Sequence, residues 1–519
     1  MSAFRTVRMD RRALAASLGA GALVAPQFLK SSPTFAAQES DRALITIANE
    51  TEPAALDPWL RGYGQTLVTR QIFEPLVDVR MTLVEGSESE VDIEYVPMLA
   101  ESFEQMDDLT WRFVLRQGVT FHNGEAFDAA ALKAAYDVLA DPEVAAAAGA
   151  SALLGVTSGL TVVDDFTVEI TTLAPNVELI GQYLRIGLMA LPPQLLAEAG
   201  IESFAENPVG TGPYMFGSWT KGQKVMLTKF DGYWNAANVS LFDAVEIVSR
   251  PEASVRAQSV TSGETDFAYN IGSEQASALS LSTIGGGFQS TSIRINNAIA
   301  PTNDVNLRLA INHAIDRQGI CDSIFLGSAK PAAFFGFQPV TLEPYPFDPE
   351  MARKLVSEAG LEGTELELVY GEGRIPEEDQ LAEIYKAFLE DIGLAITLTK
   401  VEPLQYNEIG GQAFADQPPL YMETTSSGNY GEIAGGLTDK YGTDGTGTFS
   451  DPAFDARFAE LSALSGDERN RALQAIAEEL HAIAPRAWVA VVQQVHGVSE
   501  KLTPALPLNV FIYLTDLVA

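Results

Sequence analysis

Four histidines, one cysteine and several aspartate pairs are the residues whose types suit covalent or metal chemistry in this chain. His122, His313, His481 and His496 lie far apart in sequence with no metal-ligand spacing, and neither H-E-x-x-H nor G-x-S-x-G occurs. His122 falls in a turn motif and His313 inside a periodic helix, so structural roles are expected of both. Cys321 is flanked by helix-core residues and reads as an inert thiol; as the only cysteine it forms no intrachain disulfide. Asp107-Asp108 and Asp164-Asp165 resemble acid/base pairs by type, but neighbours on a turn point apart and are read as solvated turn residues. Asp444 lies within the Gly-rich run 442–447 and Asp439 and Asp451 flank it, where the three could ligate calcium; their spacing departs from an EF-hand loop, which favours a solvated loop. That run and Gly285–Gly287 lack the lysine and the strand-to-helix context of a phosphate loop. No catalytic residue, metal ligand or cofactor is therefore expected, and the chemistry left is binding: a desolvated ligand, a few fixed polar partners and aromatic walls.

Such a site needs large rigid elements around it. The 519 residues exceed one compact core, and two or three domains are the default; 46% hydrophobic content suits a folded soluble protein. Against 69 acidic residues stand 33 basic ones, a formal charge of −36, which makes nucleic acid and anionic membranes poor partners. The excess of acid suits a saline medium, and ordinary solubility explains it equally well.

Residues 1–36 read as a secretory signal. Arg5, Arg8, Arg11 and Arg12 precede an apolar Ala/Gly-rich run, and Thr34 and Ala36 offer cleavage before Ala37. The adjacent Arg11-Arg12 suggests the twin-arginine route, with general secretion as the alternative. No lipid-accepting cysteine follows, and no later apolar run is long enough to span a membrane. A soluble, exported, monomeric protein without a lipid anchor is expected.

Beyond the signal, strand and helix patterns alternate. ALITIA (43–48) is a first strand, residues 66–76 have helical spacing, and 98–115 is a hairpin turning at Asp107-Asp108. Asp128 caps an Ala-rich helix. The stretch NPVGTGPYMFGSWTKGQKVMLTKFDGYWN (207–235) reads as a Gly/Pro turn, two strands joined at Lys221-Gly222, and an aromatic loop; Gly210 and Gly212 allow positive φ or close backbone approach. Strand, helix and strand follow over 242–270, then a strand from Ser292, one helix over 303–327 and another over 348–360. Helix and strand follow over 380–399, a helix begins at SDPAFD, and 487–494 is a returning strand.

These phrases together resemble the extracytoplasmic solute-binding proteins of the peptide/nickel ABC-importer family (solute-binding protein family 5). The likeness rests on N-P-x-G-T-G-P-Y followed by Y-W, on F-E-P-L after the first helix, W-R-F-V-L-R, G-V-T-F-H-N-G, G-E-T-D, the A-I-D-R helix and L-V-S-E-A-G. It covers about 470 residues. It implies an α/β fold of two lobes, a type II periplasmic-binding-protein architecture with an extra subdomain inserted in the first lobe. Lobe I is expected from 37–76, 208–270 and 490–519, the inserted subdomain from 77–207, and lobe II from 271–489. In that family the 207–235 stretch is where the chain re-enters lobe I, a structural role.

The same resemblance implies the ligand contacts. The loop before the F-E-P-L helix supplies Arg61, which could clamp a carboxylate, and Tyr63, which could stack or donate; a surface arginine and a packing tyrosine are the alternative. The crossing after G-E-T-D places Tyr269 and Asn270 at the cleft. Peptide binders of the family carry Trp-x-x-Asp in lobe II, whose carboxylate holds the peptide ammonium. Here Glu423 stands at the Trp position and Ser426 at the Asp position, so Glu423 takes over that role or the ligand is not an ordinary peptide. Tyr421, Asn429 and Tyr430 are further wall candidates. The function implied is the binding subunit of an ABC importer, with a peptide or peptide-like ligand ahead of an opine, sugar or metal chelate, and permease and ATPase subunits as partners. A secreted hydrolase acting in the cleft, and a chemoreceptor partner or chaperone on the same fold, are the rivals.

Overall fold

The computed structural model describes residues 44–59, 63–83, 91–141, 144, 151–180, 188–236, 242–279, 282–334, 340–373, 375–426, 433–443, 449–504 and 512–518. The expected signal over 1–36 lies outside them. In chain order the strands are β1 (Leu44–Asn49), β2 (Val77–Leu83), β3 (Val91–Pro97), β4 (Ala100–Gln105), β5 (Thr110–Leu115), β6 (Thr157–Asp164), β7 (Thr167–Thr172), β8 (Tyr214–Thr220), β9 (Lys224–Lys229), β10 (Ala244–Ser249), β11 (Phe267–Ala268) and β12 (Ser282–Ile295). After them come β13 (Ala329–Pro331), β14 (Glu365–Gly371), β15 (Ala395–Val401), β16 (Leu420–Ser426) and β17 (Arg486–Val498).

One sheet runs through the molecule in the order β15-β14-β16-β12-β17-β11-β1-β10-β9-β8. Its two halves have separate cores. Ile45, Ile47, Val225, Leu227 and Val245 belong to a cluster that also holds Phe113, Phe121 and Leu514. Ile293, Leu368, Met422, Ala487 and Val489 belong to a second cluster, filled from the helices Val305–Ala314 and Glu378–Asp391. The long strands β12 and β17 bridge the halves: Arg294 faces Arg486 in the second, while Gly497 and Val498 reach Ala268 and Phe267 in the first. This is the two-lobed α/β arrangement that the sequence implies. Between β1 and β8 the chain forms β2 and β3 as a ribbon and β4-β5-β7-β6 as an antiparallel sheet, and apolar residues of this stretch share the first cluster.

Local chemistry sets many element boundaries. Among the described residues aspartates cap five helices by accepting a backbone N–H of the first turn: Asp128 from Ala131, Asp304 from Asn306, Asp316 from Gly319, Asp348 from Met351 and Asp451 from Ala453. The Asp316 cap changes one expectation. The single helix over 303–327 is two, Val305–Ala314 and Arg317–Ser323, because Asp316 leaves the first to start the second. The hairpin at Asp107 is as expected, and so is the β8–β9 turn with Gly222 at φ 76.

Gly210 and Gly212 use close approach rather than positive φ. A Cβ on Gly210 would stand 2.0 Å from the Ile72 carbonyl oxygen, and one on Gly212 2.4 Å from that of Gln71. The Gly212 N–H donates to the Ile72 carbonyl at 2.9 Å. The Gly/Pro turn is thus pressed onto the end of the helix Tyr63–Ile72.

Candidate ligand-binding site

The strands β1 and β11 run parallel, and their carboxyl ends are the candidate place for a ligand in the first half of the sheet. Ligands of open α/β sheets bind outside such ends. The chain leaves β11 through Tyr269 and Asn270, and Asn270 holds a left-handed backbone at φ 46. Its side-chain amide donates to Glu50 Oε2 at 3.0 Å, and its N–H donates to His496 Nδ1 at 3.1 Å. Arg256 lies buried beneath, donating Nε to the Tyr269 carbonyl at 2.8 Å and Nη2 to that of Asn270. The Tyr269 hydroxyl donates to Gln494 at 2.9 Å, and its ring lies 4.9 Å from that of His496. Burial raises the Glu50 carboxyl above its ordinary range, partly offset by the Asn270 bond and the Arg256 charge. The crossing backbone is therefore held by Arg256 and His496, and its two side chains by Glu50 and Gln494, which is how a strained conformation persists.

The segment just after this crossing is tied to residues 328 and 377. Glu377 Oε1 accepts from the Ser273 N–H at 2.9 Å, and the Ser273 and Ser328 hydroxyls meet at 2.6 Å. Gly272 at φ 75 makes that contact possible, since a Cβ there would lie 2.7 Å from Pro376.

In the second lobe Glu423 pairs in register with Ser292, and Arg294 with both Tyr421 and Arg486. Side chains two apart share a sheet face, and here that face carries a buried charge cluster. Glu423 Oε1 accepts from Arg294 Nη2 and Oε2 from Arg486 Nη1, while Lys440 Nζ stands 3.4 Å away. Burial alone would raise the Glu423 carboxyl, but Arg294, Lys440 and Arg486 hold it well below the usual carboxylate range. Tyr421 donates its hydroxyl to the Tyr406 carbonyl at 2.8 Å, and Arg294 lies 4.9 Å over its ring.

Of the residues expected at the site, Tyr269 and Asn270 join one network and Tyr421 and Glu423 another, linked by Arg294. Ser426 ends β16 opposite Gln289, and Tyr63 begins the helix Tyr63–Ile72. Arg61, Asn429 and Tyr430 lie outside the described residues. The sequence does not single out Glu50, Arg256 and Gln494, and it weighs His496 only as a metal ligand, because β1, β11 and β17 become neighbours only in the sheet. No local pattern announces that pairing.

The groups that resembled catalytic pairs have other work. Asp107 accepts from the N–H groups of Leu109 and Thr110, and Asp164 from that of Phe166. The Cys321 thiol is buried and pushed up to about 12 by desolvation. Asp451 is a helix cap and Asp439 pairs with Lys440 at 2.7 Å, while Asp444 lies outside the described residues. Among the described residues no helix is long and apolar enough to cross a membrane.

Comparison with known proteins gives consistent likenesses. Residues 94–448, more than half of the chain, match the family model described as bacterial extracellular solute-binding proteins, family 5 middle. The glutathione-binding protein GsiB of Pectobacterium atrosepticum is 28% identical over 433 residues, 79% of this chain and 83% of the relative. Among solved structures, NikA from Brucella suis in complex with Fe(III)-EDTA superposes with a TM-score of 0.78 at 23% identity, covering 91% of this chain and 99% of that one. DppA from Helicobacter pylori in complex with the peptide STSA gives 0.77 at 21% identity, covering 92% and 98%.

Proposed function

The chain belongs to the bacterial extracellular solute-binding proteins of family 5, and on that premise we propose that it captures a peptide or peptide-like solute between its lobes for delivery to an ABC permease. Its role is binding rather than catalysis, as in the transport proteins that it resembles. The observation that carries the ligand site is the locked crossing at Asn270, where a left-handed residue tied to Glu50, His496 and Arg256 stands at the carboxyl ends of β1 and β11. Glutathione and peptide binding by the relatives named above support the peptide-like class.

The proposed contacts are Arg61, Tyr63, Tyr269 and Asn270 from lobe I, and Tyr421, Glu423, Ser426, Asn429 and Tyr430 from lobe II. Lobe I is taken as 37–76, 208–270 and 490–519, the inserted subdomain as 77–207 and lobe II as 271–489. Around Glu423 the cations Arg294, Arg486 and Lys440 face a buried carboxylate, and Lys440 also pairs with Asp439, so the cluster fixes Glu423 from within the fold. The exported protein works as a soluble monomer without a lipid anchor, and the importer's ATPase subunit supplies the energy.

Native mass spectrometry of freshly purified protein tests this reading, because a closed cleft retains its solute. A retained peptide-like mass is the expected result, with a smaller radius of gyration in solution scattering than for stripped protein. A hundredfold excess of ligand over Kd stabilises the closed form by about 2.7 kcal/mol. Chemical turnover of the ligand by the pure protein would overturn it.

A further inference from the structure

Gln494 stands where the long strand β17 changes neighbours. Ala490, Val491 and Val492 pair with β13, while Gly497 and Val498 pair with β11. Between these runs the backbone is pinned on both sides of Gln494. The Gln493 N–H donates to the Ser328 carbonyl at 2.9 Å, and the Val495 carbonyl accepts from the Ile271 N–H at 2.8 Å. The Gln494 side chain is 3% exposed, and its amide oxygen accepts from the Tyr269 hydroxyl at 2.9 Å. That bond fixes which way the amide is turned. Its Nε2 group is left with no hydrogen-bond partner among the described residues. A buried donor without an acceptor is costly, and native proteins rarely keep one without a use for it.

The strand on the other side of β17 leaves space at the same point. In β12, Ile284 pairs with Val495 and Phe288 with Gln493, so Gly285, Gly286 and Gly287 all stand opposite Gln494. Three residues face one, and none of the three carries a side chain. An irregularity of this kind re-aims the side chains around it. Glycine within a strand also lets another backbone approach closely. The open donor and the bare stretch of strand thus coincide, next to Tyr269 and Asn270 at the candidate site.

Resting on the reading that this protein captures a peptide-like solute, we propose that Gln494 is a specificity-determining contact for it. Nε2 donates to a main-chain carbonyl oxygen of the solute, whose backbone lies against Gly285–Gly287. The unfilled group is a donor, so the complementary atom is an acceptor, which a carbonyl supplies and an ammonium does not. A neutral amide reads that carbonyl without needing an ionised end of the solute. A solute with no acceptor at this point leaves the Nε2 protons unpaired and is rejected for that reason.

The test is calorimetric titration of the mature protein, stripped of solute, with glutathione and with the peptide Ser-Thr-Ser-Ala, the solutes of the two relatives named above. Gln494→Met keeps the length of the side chain and removes both Nε2 protons. Without ligand it should melt no lower than the parent, because relief of the unpaired amide offsets loss of the Tyr269 bond. It should bind whichever probe the parent binds at least tenfold more weakly. In the unmutated protein the Gln494 side-chain amide protons, identified by their absence from the spectrum of the variant, should shift downfield on saturation with that probe. Equal affinity in parent and variant overturns the contact and leaves capture of a peptide-like solute standing. So does a lower melting temperature with unchanged affinity, the mark of a purely structural amide, and so do amide protons that saturation does not shift. If the parent binds neither probe, the peptide-like reading fails and this inference falls with it.

Discussion

His122 clasps the Gly/Pro turn through its ring: Nε2 lies 2.9 Å from the Gly212 carbonyl, and Nδ1 accepts from the Gly210 N–H at 3.4 Å. A donor at one nitrogen and an acceptor at the other define the neutral Nε2–H tautomer. Desolvation lowers the imidazole from 6.5 to about 4, against the raising effect of the Gly212 bond. A depressed histidine contributes stability above its unfolded pKa and loses it as pH falls through the folded one. Between pH 6.5 and 4 the parent should lose on the order of 2 kcal/mol more than His122→Gln, allowing for solvent screening of a partly exposed ring. Urea unfolding at both pH values measures this, and equal losses would remove the clasp.

Glu74 predicts the opposite slope. Burial raises its carboxyl to about 7 despite bonds from Trp234, Tyr233 and Thr211. The folded state then holds the proton more tightly than the unfolded chain, so the contribution is full below 4.5 and is lost as pH rises through 7. Relative to Glu74→Gln, the parent should lose about 3 kcal/mol between pH 4.5 and 8. A constant difference between the two proteins across that range would contradict it.

Gly210→Ala should destabilise by about 3 kcal/mol, since its Cβ would collide with backbone at 2.0 Å. Gly222→Ala, at φ 76 with open space around it, should cost only about 1 kcal/mol. Thermal unfolding of the pair separates steric approach from backbone strain.

Glu423→Gln leaves Arg294 and Arg486 buried without a counter-charge and should cost about 3–5 kcal/mol. If Glu423 also reaches the solute, affinity for the retained ligand falls tenfold to a hundredfold in the variant that remains folded. Calorimetry beside a melting curve reads both. Arg61→Met should weaken a carboxylate-bearing ligand similarly and leave a neutral sugar unaffected.

Processing should occur between Ala36 and Ala37, as the basic residues and the apolar run before them imply. N-terminal sequencing of exported protein checks this, and a start upstream of Ser32 would contradict it. Replacing Arg11 and Arg12 together by Lys should stop export if the twin-arginine route is used.

The amino-acid sequence by itself determined what neighbours within a few residues decide. Asp128, Asp348 and Asp451 cap helices because their oxygens reach N–H groups two or three positions on. Gly222 turns a hairpin because its own backbone permits φ 76. The phrases around Gly210, Glu74 and Trp234 were also legible, as family motifs. Their shared meaning was not, because Thr211, Tyr233 and Trp234 converge on Glu74 only after the chain returns across more than a hundred residues. Tertiary structure alone selected close approach over positive φ for Gly210, since the Ile72 carbonyl comes from another element. It also surrounded Glu423 with cations from β12, β17 and the helix Ile433–Tyr441, so that a residue noticed for the ligand it could hold is engaged from within the fold. Charge compensation and steric contact depend on distances in space, and strand pairing across the sheet sets those distances.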